Sequence, residues 1–294
     1  MLHINKYDRQ MKRKILLPTD FSKNAWHAIT FASELYKKDH CDFCILNVFS
    51  ATGNVIDSLI NMEPGSEIYE TAKLDSENGL AKVLDMLAFM DYKNSKHQFK
   101  PISTFNSVVE AIKNIVEEKD IEMIVMGTKG HTGSRTKVFG SVAVNVMEKI
   151  RNCPVIVVPK TAKLELPKEI VFPTSYKTHL KRRELNYLID LAKKCDASIK
   201  VLHIATEKQL SEKQLNNKKL LEEYFEDISY SLHTLTHIDI PTAINCFVES
   251  RESDMIAFIN KKHMFFGSML THPLIKEIGY DSKVPLLVMH DLRN

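Results

Sequence analysis

The hydrophobic positions of this chain follow two rhythms. Short, almost continuous apolar runs at residues 15–19, 43–49, 121–126 and 155–158 are too brief for helices and read as buried strands. Between the first two, Ala25, Ala28, Ile29, Ala32 and Leu35 recur at helical spacing behind Ser22, a suitable N-cap. Residues 66–90 predict a helix after the Pro64-Gly65 loop, and residues 99–104 a third strand. Ser107-Val108-Val109-Glu110 has the spacing of a capping box and opens a helix with Val108, Ile112, Ile115 and Val116 on one side. A helix over residues 141–151 precedes the fifth strand.

The pattern then repeats. KILLPTDFS, from Lys14, is answered by EIVFPTSYK, from Glu169; CPVIVVP, from Cys153, by VPLLVMH, from Val284; and IEMIVM, from Ile121, by DMIAFI, from Asp254. The second unit is expected to place a helix at 184–194, strands at 199–204 and 231–237, and a helix entered near Pro241. Apolar strands separated by helices mean parallel sheets covered on both faces. The fold class is therefore α/β, Rossmann-like, with two consecutive five-stranded parallel-sheet units. Residues 1–10 form an extension, 11–160 the first unit, 161–168 a polar linker and 169–294 the second unit.

Composition narrows the class. The 294 residues suffice for two domains, and 44% hydrophobic with 26% charged is a soluble globular balance. A net charge of +3 gives no reason to expect a nucleic-acid or membrane partner. No apolar run reaches the length of a membrane span, and residues 1–10 lack the apolar core of a signal peptide, so a cytoplasmic protein is expected. Five cysteines, an odd number, argue against a disulfide framework. Cys41 and Cys44 form a C-x-x-C at a strand start with no second pair to complete a zinc site, and read as ordinary cysteines.

The chemistry concentrates at residues 126–142, MGTKGHTGSRTKVFGSV, between the fourth strand and the helix that follows. Gly127 and Gly130 are separated by two residues, and nine residues lead on to Gly140-Ser141. Glycines at a strand end permit positive φ and let backbone amides approach an anion; Gly140-Ser141 then presents the open amides of a helix start. Ser141 can cap that helix or donate to phosphate. Lys129, His131, Arg135 and Lys137 make the loop basic. This is neither a Walker A loop nor the dinucleotide fingerprint.

With G-x-x-G, nine residues and G-S, preceded by Pro18-Thr19-Asp20-Phe21-Ser22 after the first strand, the chain resembles the universal stress protein family. The resemblance implies ATP, with or without magnesium, lying across the strand C-termini. It assigns Pro18, Thr19 and Asp20 to the ribose and adenine side, Val48 to adenine and Met126 to the adenosine edge. The amides of Gly127, Gly130, His131, Ser141 and Val142 would hold the phosphates beside Lys129 and Gly140. In the second unit Ser175 replaces Asp20, Asn260 and His263 replace Gly127 and Gly130, and Thr271-His272 replaces Gly140-Ser141 across a loop two residues shorter. That unit is expected to be degenerate; Lys261, Lys262, His263 and His272 could take another anion. His233 and His237, placed on one face of a strand, read as structural.

The expected function is an ATP-binding stress-response regulator with the nucleotide in the first unit. Two alternatives stay open: a slow ATPase, for which His131 is the only candidate base, and an interaction module with a vestigial site. As partners, the two units are expected to form an intrachain pseudo-dimer through their fifth strands at 155–158 and 286–289, with a homodimer as a further option.

Overall fold

The computed structural model describes residues 12–49, 63–89, 94–128, 140–205, 207, 209–260 and 283–290. In the first half the order is β1 (Arg13–Pro18), α1 (Lys23–Leu35), β2 (Cys41–Phe49), α2 (Glu67–Phe89), β3 (His97–Phe105), α3 (Val108–Lys119), β4 (Met123–Gly127), α4 (Ser141–Lys149) and β5 (Val155–Val158). Residues 159–168 form no helix or strand. The second half follows with β6 (Glu169–Thr174), α5 (Arg182–Cys195), β7 (Ser198–Ala205), α6 (Glu212–Tyr224), β8 (Tyr230–Thr236), α7 (Ile240–Arg251), β9 (Met255–Asn260) and β10 (Leu286–His290). The fold is the expected Rossmann-like α/β arrangement.

The ten strands share one sheet, ordered β3-β2-β1-β4-β5-β10-β9-β6-β7-β8. The second half thus repeats the first half's order in reverse. All neighbours run parallel except β5 and β10, which pair antiparallel through Leu286–Val157, Leu287–Ile156 and Val288–Val155. Both faces of the inner strands are covered, which is why their sequences are largely apolar, whereas the edge strands β3 and β8 are polar and hold no buried residue. Ile15, Leu17, Phe43 and Ile45 point into a core shared with α1, α2, α5 and α6. Leu16, Cys44, Leu46 and Ile124 point into the opposite core, under α3, α4 and α7. Cys41 and Cys44 therefore lie on opposite faces of the sheet, and burial pushes the Cys41 thiol up to about 12, so the pair is inert.

Three local expectations are corrected. Ser107 is the N-cap of α3 but makes no side-chain cap bond; its amide donates to Asn106 Oδ1 at 2.7 Å, which removes the need for Glu110 to reach back. β8 ends at Thr236, and His237, with φ of 59°, turns out of the strand, so His233 and His237 share no strand face. Helix α6 was not expected at all. It is largely polar, and only the Ser211–Gln214 capping box announces it.

The start of β6 is held by a compact ionic group. Arg251 Nε and Nη2 donate to the two oxygens of Glu169 at 2.8 and 2.7 Å, and Ser253 Oγ adds a bond of 2.7 Å. Burial alone would raise the Glu169 carboxyl, but the bonds from Arg251 and Ser253 outweigh it and hold the group below its ordinary value. A depressed carboxyl contributes stability above its unfolded pKa, near 4.5, and loses it as pH falls through the folded value. Glu169→Gln should lower stability by about 1 kcal/mol at neutral pH, and the difference from the parent should shrink as the pH falls below 4.5 and through the folded value. Urea denaturation at a series of pH values checks this; a difference independent of pH would contradict it.

Candidate nucleotide site at the sheet's switch point

β1 lies between β2 and β4, and the connections leave it in opposite directions. α1 crosses onto one face and α4, after β4, onto the other. In open α/β sheets ligands enter the crevice at this switch point, beyond the strand C-termini. Here the crevice is built into the ladder. β1 pairs with β4 only at Ile15–Met123 and Leu16–Ile124, although the strands run on to Pro18 and Gly127. Lys14 offers its carbonyl toward β4, accepting from Glu122, whereas Thr19 directs its amide toward β2, donating to Leu46 at 2.8 Å. Residues of even number in β1 thus turn their backbone polar groups to β4. Pro18 is the next of these and has no N–H to give, so the ladder stops and the strands part.

The turn after β1 is fixed by short bonds. Thr19 Oγ1 accepts the Phe21 amide at 3.0 Å, Asp20 Oδ1 accepts the Ser22 amide at 3.1 Å, and Ser22 Oγ caps α1 by accepting from Ala25 at 3.1 Å. The Thr19 carbonyl accepts from Asn47 Nδ2 at 2.8 Å. Phe21 adopts φ of 63°, an unusual conformation for a bulky residue. The β4 side is tied to this turn by Asn24, whose Nδ2 donates to Thr128 Oγ1 at 3.1 Å. The Thr128 carbonyl accepts from the Gly140 amide at 2.7 Å, closing the ends of the glycine loop.

Most of the expected site residues come together here. Pro18, Thr19 and Asp20 form the β1 turn, with Asp20 exposed. Val48 is half-buried near the end of β2, and Gly127 ends β4. Met126 is buried within the core beneath α3 and α4, so its main chain, not its side chain, faces the strand end. Gly140 is the N-cap of α4, and Ser141 and Val142, in its first turn, are exposed. Lys129, Gly130 and His131 lie outside the described residues. Ser141 is helical, so it does not cap; that part of the expectation is wrong. Neither Gly127 nor Gly140 has positive φ. Gly127 is required by proximity instead: a Cβ there would lie 2.8 Å from Asn24 Nδ2 and 3.0 Å from the Asn24 carbonyl oxygen. Asn24, Asn47 and Thr128 were not anticipated. Asn47, a polar residue interrupting an apolar strand, was the visible signal.

The second half builds the same turn and then covers it. Thr174 Oγ1 accepts the Tyr176 amide at 3.1 Å, Ser175 Oγ the Lys177 amide at 3.3 Å, and Tyr176 has φ of 56°. His203 Nδ1 meets the Thr174 carbonyl at 3.0 Å, as Asn47 meets that of Thr19. From α6, Gln214 Nε2 donates to the Ser175 carbonyl at 2.9 Å and Asn217 Nδ2 to that of Tyr176 at 2.8 Å. Asn260, in the place of Gly127, donates from Nδ2 to the Met147 carbonyl of α4 at 3.2 Å. His263, Thr271 and His272 lie outside the described residues.

The sequence profile of the universal stress protein family matches residues 11–159. The chain belongs to that family. The match covers β1 to β5 and carries the glycine loop and the Asp20 turn with it. The universal stress protein MJ0531 of Methanocaldococcus jannaschii is 31% identical over 155 residues, covering 51% of this chain and 84% of that protein. MJ0577 of the same organism is 27% identical over 157 residues, covering 51% and 96%. A universal stress protein structure from Archaeoglobus fulgidus aligns over 94% of this chain and 95% of its own, with TM-score 0.64 and 19% identity, so the shared fold extends through both halves. No helix among the described residues is long and apolar enough to cross a membrane.

Within this family member the close approach at Gly127 gives a direct test. Gly127→Ala should destabilise the protein by about 1–3 kcal/mol, because the nearest atoms include backbone that cannot swing aside. A thermal melt in which the variant equals the parent would show that α1 tolerates the shift.

Proposed function

We propose that the first half, taken as residues 11–160, binds one ATP in the crevice between β1 and β4, and that the protein acts in the cytoplasm as a nucleotide-binding stress-response regulator. The observation that carries this reading is the parting of β1 and β4 beyond Leu16 and Ile124, opposite the exposed first turn of α4. The crevice supplies what an adenine nucleotide needs. Asp20 stands exposed at its lip, where it accepts the Ser22 amide, and a carboxylate is the acceptor that suits ribose hydroxyls. Val48 offers an apolar contact for the base. The Ser141 and Val142 amides, at the positive end of the α4 dipole, suit phosphate oxygens. Gly127, Gly130 and Gly140, with Lys129 and His131, complete the cradle by the family motif.

The second half, residues 169–294 after a linker at 161–168, is proposed to have lost the site. Its β6 turn carries no carboxylate at Ser175, and α6 already occupies the carbonyls of Ser175 and Tyr176. Asn260 is committed to Met147.

Titration calorimetry should give one ATP per chain. Gly140 has φ of −71° and ψ of 157°, a region that suits valine, so Gly140→Val should fold normally. Its side chain would stand at the helix amides and weaken ATP by roughly tenfold or more, about 1.4 kcal/mol per decade. Combined with Asp20→Ala it should abolish binding. A stoichiometry of two, or unchanged affinity in the folded Gly140→Val variant, would refute the assignment.

A further inference from the structure

Helix α1 packs over β4 and β5 while α2 packs over β2 and β3, so the two helices part above β1. The gap is a groove of about 410 Å³, within the roughly 300–1,000 Å³ of small-molecule pockets. Its floor is apolar, with buried Ile29 from α1 and Val83 from α2. Trp26 stands half-buried along one wall, and Met86 is exposed at the rim of the other. Phe21 closes one part of the groove against Gly79, where an added Cβ would come within 2.4 Å of the ring. Gly79, Lys82, Val83 and Met86 recur at helical spacing and so present one face of α2. Lys82 is the cation of the lining, and Asp75, roughly 10 Å away along the helix axis, is its acid.

The second half provides an internal comparison. Its corresponding helix, α6, is bound to the turn through Gln214 and Asn217, and Phe225 meets Phe172 edge-to-face at 6.2 Å. Tyr176 is 4% exposed there, its ring tilted against that of His203, whereas its counterpart Phe21 is 36% exposed. The fold closes this position readily when the side chains fit. The opening in the first half is therefore written into its own sequence rather than imposed by the architecture.

We propose that the α1–α2 groove is a second ligand site, for a flat aromatic molecule carrying one carboxylate or sulfonate. The aryl group lies between Trp26 and the Val83–Met86 wall, and the acid reaches Lys82, away from Asp75. This goes beyond the nucleotide reading, which uses the crevice at the strand ends; only the Thr19–Phe21 turn borders both.

Trp26 is the single tryptophan of the chain, so energy transfer from it to bound anilinonaphthalene sulfonate reports dye bound in its neighbourhood, and the Lys82 variant assigns that dye to the groove. A saturable one-site signal is expected in the full chain. The exposed Lys82→Glu change should weaken it tenfold or more, whereas Lys113→Glu, the same charge reversal on exposed α3 across the sheet, should not. Circular dichroism checks that both variants are folded. Saturating ATP should leave the signal in place, and Lys82→Glu should keep the parent's calorimetric ATP affinity. Absence of a saturable signal, equal weakening by both variants, or displacement by ATP would overturn the proposal. Loss of ATP binding in Gly140→Val with the probe signal intact would bear on the nucleotide site alone.

Discussion

A missing backbone donor governs this molecule. Pro18 sits where β1 owes its next hydrogen bond to β4, and so does Pro173 in β6, since Glu169 turns its carbonyl toward β9 as Lys14 does toward β4. In both halves the first and fourth strands pair at only two positions before separating, at Ile15 and Leu16 in one and at Ile170 and Val171 in the other. The strands could part through flexible sequence, but a proline makes the parting permanent without leaving a buried donor unsatisfied. The polar turn, the Asn24–Thr128 tie and the loop closed by Gly140 all stand on the two lips of that gap. Each would have no place to form if the ladder continued.

The sequence revealed the inner strands readily, because burial on both faces makes them short, nearly continuous apolar runs. It also revealed the turn after β1 and the glycine motif, where function and geometry are local. Contacts made at long range were hidden. Asn47 serves the Thr19 carbonyl from a neighbouring strand, and Asn24 reaches a threonine more than a hundred positions away, at Thr128. The need for glycine at 127 comes from Asn24 backbone and not from its own dihedral, a cause no spacing rule could supply. Helix α6 escaped notice because its polar surface carries little apolar periodicity; it is held by side-chain amides at the β6 turn as much as by its buried Leu221.

The substitutions in the second half look like losses in the sequence and like re-employment in the structure. Asn260 adds bulk where the first half requires glycine, yet its amide satisfies a carbonyl in the last turn of α4, which a helix end must find from outside itself. His203 takes over the bond that Asn47 makes and also packs its ring, tilted, against Tyr176. Gln214, fully enclosed, bonds both its own cap residue and the strand-end turn. Polar groups that a ligand could otherwise meet are consumed by the protein, and rigidity replaces recognition.

The antiparallel junction of β5 with β10 has a directional consequence. Since every other neighbour is parallel, the strands of one half end at the edge of the sheet where those of the other begin. The two strand-end crevices consequently lie at opposite edges of the sheet. Helix α4 runs from its first-turn amides beside β4 to the Met147 carbonyl bound by Asn260 at the end of β9, and so forms a strut between the two edges. The chain is thereby a molecule with a front and a back, a mirrored strand order carrying different side chains at its two poles.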